Sequence, residues 1–192
     1  MRPKYFVLLI GLLIGVQVKS QSQSKTDSLI NLLNKAKNDT AKCFYLTEIA
    51  ISTFDEEGAK YNEMLGEFCN SKMKDPKLSE KIRTFYENKY SIYLVNLAME
   101  KRDNGEYDEA LDIINKSLAF RLKNNLKQDI GECYGIIGRI YFFKGDLQKS
   151  ILYYQKELKI NQEVKDTLNE AEVLSSLGMA YYSVGDYNAS MD

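Results

Sequence analysis

Apolar residues along most of this chain recur at intervals of three and four, the spacing that puts them on one face of an α-helix. Leu29, Ile30, Leu32 and Leu33 follow the cap residues Thr26-Asp27-Ser28 and predict a short helix ending near Lys37. After the turn Asn38-Asp39-Thr40, the residues Phe44, Leu46, Ile49, Ala50 and Phe54 predict a second helix from Ala41 to about Thr53, broken by Asp55 to Gly58. Tyr61, Met64, Leu65, Phe68 and Cys69 mark a third amphipathic face. Asp75-Pro76 is the strongest punctuation, because proline is best placed at the first position of a helix. A long helix starts there or at Ser79 and runs to about Asp103, with room for a bend near Asn88; Ile82, Phe85, Tyr86, Tyr90, Tyr93, Leu94, Leu97 and Ala98 form its inward stripe. Further helices are expected over 107–123, with Ala110, Leu111, Ile114 and Leu118 inward, over 129–144, from Leu147 through Leu158, and from Thr167 to Gly185. Tyr187 begins one more, and the sequence stops within its second turn. No segment alternates apolar and polar residues long enough to predict a strand.

From Asn104 onward the pattern repeats. Gly138 and Gly178 are 40 residues apart, as are Tyr141 and Tyr181, Gly145 and Gly185, and Asp146 and Asp186. One step earlier, Gly105, Tyr107 and Ala110 stand where Gly145, Leu147 and Ser150 stand next. Self-similarity at such a period marks stacked helical repeats, each unable to bury its apolar face alone. Forty residues accommodate two helices of roughly 16 residues and two short connections. Gly138 and Gly178 lack a Cβ, so paired helices can approach closely there; Ala110, Ser150 and Ser190 are small on the facing helix. Tyr141, Tyr154 and Tyr181 are expected to fill the space between pairs.

At these residues the chain resembles the tetratricopeptide repeat family. Leu174, Leu177-Gly178, Tyr181, Gly185 and Tyr187 follow its motif, with Ser190 in the alanine place. Tyr134, Ile137-Gly138, Tyr141, Gly145, Leu147, Ser150 and Tyr154 give the preceding copy. Leu94, Leu97-Ala98, Gly105, Tyr107, Ala110 and Ile114 give an earlier one, in which Lys101 replaces the aromatic residue. The resemblance implies an all-α solenoid of antiparallel helix pairs, a tetratricopeptide-like superhelix. Its repeats would span 90–192, the last one truncated, with degenerate helical repeats over 26–89. The period exceeds the usual 34 and is similar to that of exported repeat regions in Bacteroidetes-type signalling proteins, which precede a membrane span and a histidine kinase or helix-turn-helix output domain.

The first 20 residues change the picture. Arg2 and Lys4 precede the apolar run Tyr5–Val18, and Val18 and Ser20 place small side chains at −3 and −1 of a cleavage site. This is the pattern of a secretory signal peptide over 1–20, followed by a polar, disordered lead-in over 21–25. An uncleaved anchor is the alternative, although a span needs about 20 apolar residues. The expected location is therefore exported and periplasmic, with membrane contact only through the signal peptide or a later span. Removing Arg2, Lys4 and Lys19 from the 26 basic residues leaves 23 against 27 acidic ones. That balance argues against a nucleic-acid partner, which needs a net basic face.

Candidate chemistry is sparse. With no histidine in the sequence, neither a Ser-His-Asp nor a Cys-His arrangement exists, and a zinc site lacks its usual ligands. The glycines are spread, not clustered around a phosphate. Cys43, Cys69 and Cys133 are too few and too odd in number for a disulfide framework; they read as small buried hydrophobes, with a Cys43–Cys69 bridge as the alternative. Glu56-Glu57 and Glu170/Glu172 read as solvated helix termini, and three Asn-x-Ser/Thr triplets, at Asn38, Asn115 and Asn188, as chance. No enzyme activity, cofactor or metal is expected, and no pattern specifies an oligomeric state.

What remains is surface. In the family the first helix of each pair lines the concave face, which here implies Asn96, Met99 and Arg102, then Gly135, Arg139, Phe142 and Phe143, then Ser175, Met179 and Tyr182. Arginine beside methionine and aromatic rings is an anchor set for a protein or peptide partner; the alternative is that Phe142, Phe143 and Tyr182 pack between repeats. The family's carboxylate-clamp pattern is not reproduced. The expected function is an exported protein-interaction or sensory module, the input region of a bacterial signalling protein, because the repeats stop without a polar cap. The alternative is a free-standing periplasmic adaptor or assembly factor.

Overall fold

The computed structural model describes residues 25–52 and 56–185. Among them every regular element is helical: α1 (25–35), α2 (Asp39–Ser52), α3 (Glu56–Met73), α4 (Glu80–Asp103), α5 (Tyr107–Lys123), α6 (Lys127–Lys144), α7 (Leu147–Val164) and α8 (Thr167–Val184). The signal-peptide stretch, Phe54 and the helix expected from Tyr187 lie outside the described residues. The chain divides into two compact units, Met1–Ser71 and Lys72–Asp192. The repeat boundary expected at 89/90 falls inside the unbroken helix α4.

In the first unit, Lys25 belongs to α1, so the lead-in expected over 21–25 has its last residue in a helix. Thr26 is inside α1 and buried instead of capping it. Asn38 caps α2: its Oδ1 accepts from the Ala41 N–H at 2.7 Å and from the Thr40 hydroxyl at 2.9 Å. The buried face of α2 is Cys43, Leu46, Thr47, Ile49 and Ala50, and that of α3 is Gly58, Asn62, Leu65, Gly66 and Cys69. Two expectations fail here. Phe44 and Met64 point outward, and Gly58 sits within α3 instead of breaking the chain. Both helices carry apolar residues on two adjacent faces, and periodicity alone does not choose between them.

The second unit follows the repeat. Ser79, the second of the two predicted starts, caps α4, its Oγ accepting from the Ile82 N–H. α4 packs on α5, α5 on α6, α6 on α7 and α7 on α8, and α4 also reaches α6. Leu94, Val95 and Ala98 of α4, Ala110, Ile113 and Ile114 of α5, and Cys133, Ile136, Ile137 and Ile140 of α6 form one core. Ile151 and Tyr154 of α7 with Val173, Leu177 and Ala180 of α8 form the next, and Phe142 packs against it. Burial of this kind stabilises by roughly 25 cal/mol per Å² of apolar surface.

The connections alternate between two kinds. Gly145 and Gly185 end α6 and α8 at φ +85°, the left-handed conformation that glycine adopts without steric cost. The turns after α5 and α7 instead put non-glycine residues at positive φ: Asn125 at 53° and Lys165 at 59°. Asp146 and Asp166 then cap α7 and α8, accepting from the N–H groups of Lys149 and Asn169. The close approach expected at Gly138 is present: a Cβ there would lie 2.7 Å from the Tyr154 ring.

Candidate functional site

A polar pocket of about 350 Å³ opens between α6, α7 and α8. Helical periodicity explains which residues line it. Gln128, Glu132 and Arg139 recur at spacings of four and seven along one face of α6, beside Asp129. Glu157 and Asn161 are four apart on α7, and Asn169 and Glu172 three apart on α8. Gly135 lies on the same α6 face, and it matters by what it omits. A Cβ at that position would be 2.5 Å from both oxygens of Glu157, so the carboxylate occupies the space a side chain would take.

Burial dominates the electrostatics of Glu157 and raises its pKa from 4.5 to about 7; the nearby positive charge of Arg139 opposes the shift, and Glu172 and Glu132 add to it. Arg139 Nε and Asn161 Nδ2 are buried donors with no hydrogen-bond partner among the described residues. Asn161 is only 3% exposed. Other lining groups are engaged. Glu132 accepts from Arg121 Nη1 at 2.7 Å, and Gln128 Nε2 and Asn169 Nδ2 donate to Asp166 Oδ2 at 2.9 and 2.8 Å. Among the described residues no group of three or more His, Cys, Asp or Glu is arranged to hold a metal ion.

The residues expected to form a partner face are placed as follows. Arg102 of α4 lies 5.9 Å from the centre of the Phe143 ring of α6, an arginine stacked over an aromatic face, while it pairs with Asp103. Met99 packs against the larger core, Asn96 is half-buried, and Phe142 is turned into the smaller core. Phe143, Met179 and Tyr182 are exposed, at 58%, 56% and 62%. Ser175 is also exposed on α8. Arg139 lines the polar pocket. The arrangement therefore separates an Arg102–Phe143 pair, two exposed α8 side chains and the pocket.

Sequence reasoning missed Glu157 and Asn161. The signal was present in the spacing: 40 residues before the half-buried Glu157 and the buried Asn161 stand Ser117 and Arg121, both buried and polar. Polar residues recurring on the inward face of a second helix are the trace of a built site. Glu172, expected as a solvated helix terminus, is exposed yet lines the pocket.

Residues 90–163 match the family model described as tetratricopeptide repeat. Over that stretch the sequence matches tetratricopeptide repeats, and the described residues have an all-α tetratricopeptide-like fold. It is 35% identical over 98 residues to the photosystem I assembly protein Ycf3 of Prochlorococcus marinus subsp. pastoris, covering 51% of this chain and 50% of that protein. It is 26% identical over 97 residues to a Tonsoku-like protein of Danio rerio, covering 50% of this chain and 7% of that one. The chain thus spans at most half the length of these two relatives. Among solved structures it is similar to BtubC from P. vanneervenii, with TM-score 0.69, 14% identity, and coverage of 91% of this chain and 71% of that one. It is also similar to a signal transduction ATPase with numerous domains that has a tetratricopeptide repeat sensor, from Pyrococcus horikoshii. There the TM-score is 0.67 at 20% identity, over 92% of this chain and 27% of the other. Among the described residues no helix is long and apolar enough to cross a membrane.

Proposed function

We propose that this protein is an exported, periplasmic protein-interaction module serving as the sensory input region of a bacterial signal-transduction protein, with a histidine kinase or helix-turn-helix regulator as output. The observation that carries the interaction reading is the repeat stretch 90–163 with a polar pocket that its helices α6 and α7 form together with the following helix α8. Repeat scaffolds of this kind present continuous surfaces to extended partners. Export rests on Arg2, Lys4, the apolar run Tyr5–Val18 and the small residues Val18 and Ser20. A sensory role is favoured by the repeat sensor of the Pyrococcus horikoshii protein, which shares this fold. A second reading, a free-standing periplasmic adaptor or assembly factor, is favoured by the similarity to Ycf3.

Two measurements test this. Fractionation of a Gram-negative host expressing the chain should yield a periplasmic product whose N-terminus is Gln21; an unprocessed cytoplasmic chain would sink the export reading. Photo-crosslinking from Phe143 and Met179 should trap one protein that Lys116, exposed on α5, does not. Equal trapping from all three positions would refute the partner face. The trapped protein's identity decides between sensory input and assembly.

A further inference from the structure

Successive second helices, α5 and α7, place residues 40 apart at equivalent positions, and one such pair differs sharply. Arg121 of α5 is buried, and its guanidinium is hydrogen-bonded through Nε and Nη1. It donates to the Asp129 carbonyl at 2.6 Å and the Glu132 carboxylate at 2.7 Å, and reaches Ser91 Oγ and Cys133 Sγ at 3.4 Å. One repeat later the corresponding positions are Asn169, Glu172, Gly131 and Val173, and Glu157 replaces Ser117. Two of the four acceptors of a guanidinium site are therefore kept, the carbonyl at 169 and the carboxylate of Glu172, the hydroxyl and thiol are lost to Gly131 and Val173, and the Glu157 carboxylate is added. The arginine is not kept: its place is taken by Asn161, which is too short to cross the space and leaves a buried, unpartnered Nδ2. The pocket of about 350 Å³ lies at this position.

Two kinds of group face the pocket. Asp129, Glu132, Glu157 and Glu172 supply negative charge against Arg139, with Arg121 already committed to Glu132. Arg139 Nε and Asn161 Nδ2 supply donors that need acceptors, since a buried donor without one costs about 1–3 kcal/mol. A bare cation would answer the carboxylates and leave the donors unpaired. A guanidinium with an adjacent peptide carbonyl answers both, and a planar fork suits paired carboxylate acceptors better than an ammonium does.

We propose that this pocket takes an arginine side chain presented by a partner polypeptide, its guanidinium held by Glu172 and Glu157 and a neighbouring backbone carbonyl by Asn161. The proposal rests on the interaction-module reading and names the partner's chemistry: an extended segment with an arginine, as Arg121 meets the equivalent carboxylate, Glu132, from within the chain one repeat earlier.

The test is an amide-resolved NMR titration of the ¹⁵N-labelled protein with N-acetyl-L-arginine methylamide. Saturable shifts should cluster at Glu157, Asn161 and Glu172. The citrulline analogue, which keeps shape and loses charge, should bind roughly tenfold more weakly, as should the arginine probe with Glu172→Gln. Asn161→Arg should abolish binding by supplying the guanidinium internally, with melting temperature unchanged or raised. Equal binding of the citrulline analogue, or no shifts in the folded protein, overturns the proposal. Tighter binding of free L-arginine than of the blocked form makes this a small-molecule site and overturns its peptide part. Crosslinking from Phe143 is read independently, so a trapped partner with no arginine response removes this inference and leaves the module reading intact.

Discussion

Gly138 of α6 and Tyr154 of α7 fit together so tightly that a Cβ on Gly138 would lie 2.7 and 2.8 Å from two ring carbons. Tyr154 is 3% exposed and belongs to the core between α7 and α8. The ring has no room to retreat without moving that core. Gly138→Ala gains about 1 kcal/mol of helix propensity, yet overpacking costs about 1–3 kcal/mol. The expected result in urea denaturation is a net loss of up to about 2 kcal/mol. Gly135→Ala, whose clash is with the mobile end of Glu157, should cost less than Gly138→Ala. The reverse order would show that Glu157 is the more rigid neighbour.

The raised pKa of Glu157 makes stability depend on pH. The folded state holds a proton that the unfolded chain releases at its ordinary 4.5, so the stabilisation is complete below 4.5 and lost as pH rises through about 7. The groups that set this are burial first, then Arg139 and Glu132 on α6 and Glu172 on α8. At about 1.4 kcal/mol per unit, reduced for partial solvent access, the change is about 2 kcal/mol. Glu157→Gln should flatten the wild-type decline in melting temperature between about pH 5 and about pH 8. An unchanged slope in the variant would assign the decline to another group.

Arg121 ties α4, α5 and α6 together through Ser91, Asp129 and Glu132. Arg121→Leu leaves a buried carbonyl and hydroxyl without their donor and should cost about 3 kcal/mol. Arg121→Lys should recover little, because one ammonium does not span those acceptors. Glu132→Gln, with its side chain 52% exposed, should cost far less than Arg121→Leu. Chemical denaturation of the three variants supplies the ranking.

Lys165 adopts φ 59° with no glycine to relieve it. The left-handed conformation costs an L-residue about 1–2 kcal/mol, and glycine's extra unfolded-state freedom returns part of that. Lys165→Gly should therefore raise stability by about 0.5–1 kcal/mol. A loss of stability would mean that the lysine side chain holds the turn.

Cys43 Sγ and Cys69 Sγ lie 3.4 Å apart as buried, hydrogen-bonded thiols. Glutathione redox buffer that is mostly oxidised should convert them to a disulfide with loss of two hydrogens in intact mass, each thiol giving its proton and electron to the glutathione disulfide. Closing that loop should raise the melting temperature, while Cys133 stays reduced. A mass unchanged after partial unfolding and refolding in the same buffer would show that the helices hold the sulfurs out of bonding geometry.

How much of this was written in the chain varies along it. The helices from Tyr107 to Val184 were legible almost to the residue, because residues spaced 40 apart in the sequence marked each start and stop twice. Gly145 and Gly185 mark ends, and the small residues Ala110 and Ser150, both fully buried, mark contacts. The first unit was less legible. The repeat expected there is degenerate and gives no second copy of each boundary, and Phe44 and Met64 were assigned inward although both are exposed.

The sequence by itself determined the element type, the period and the close approach at Gly138, because helical spacing and the absence of a Cβ are local facts. Only the tertiary structure decided which polar residues converge. Arg139 carries no mark in the sequence that assigns it to Glu157 and not to Phe143. That assignment depends on the rotation of α6 against α7 and α8, set by Tyr154 filling the space over Gly138 and Glu157 filling the space over Gly135. A pocket is a property of three helices at once, and no single helix face can announce it.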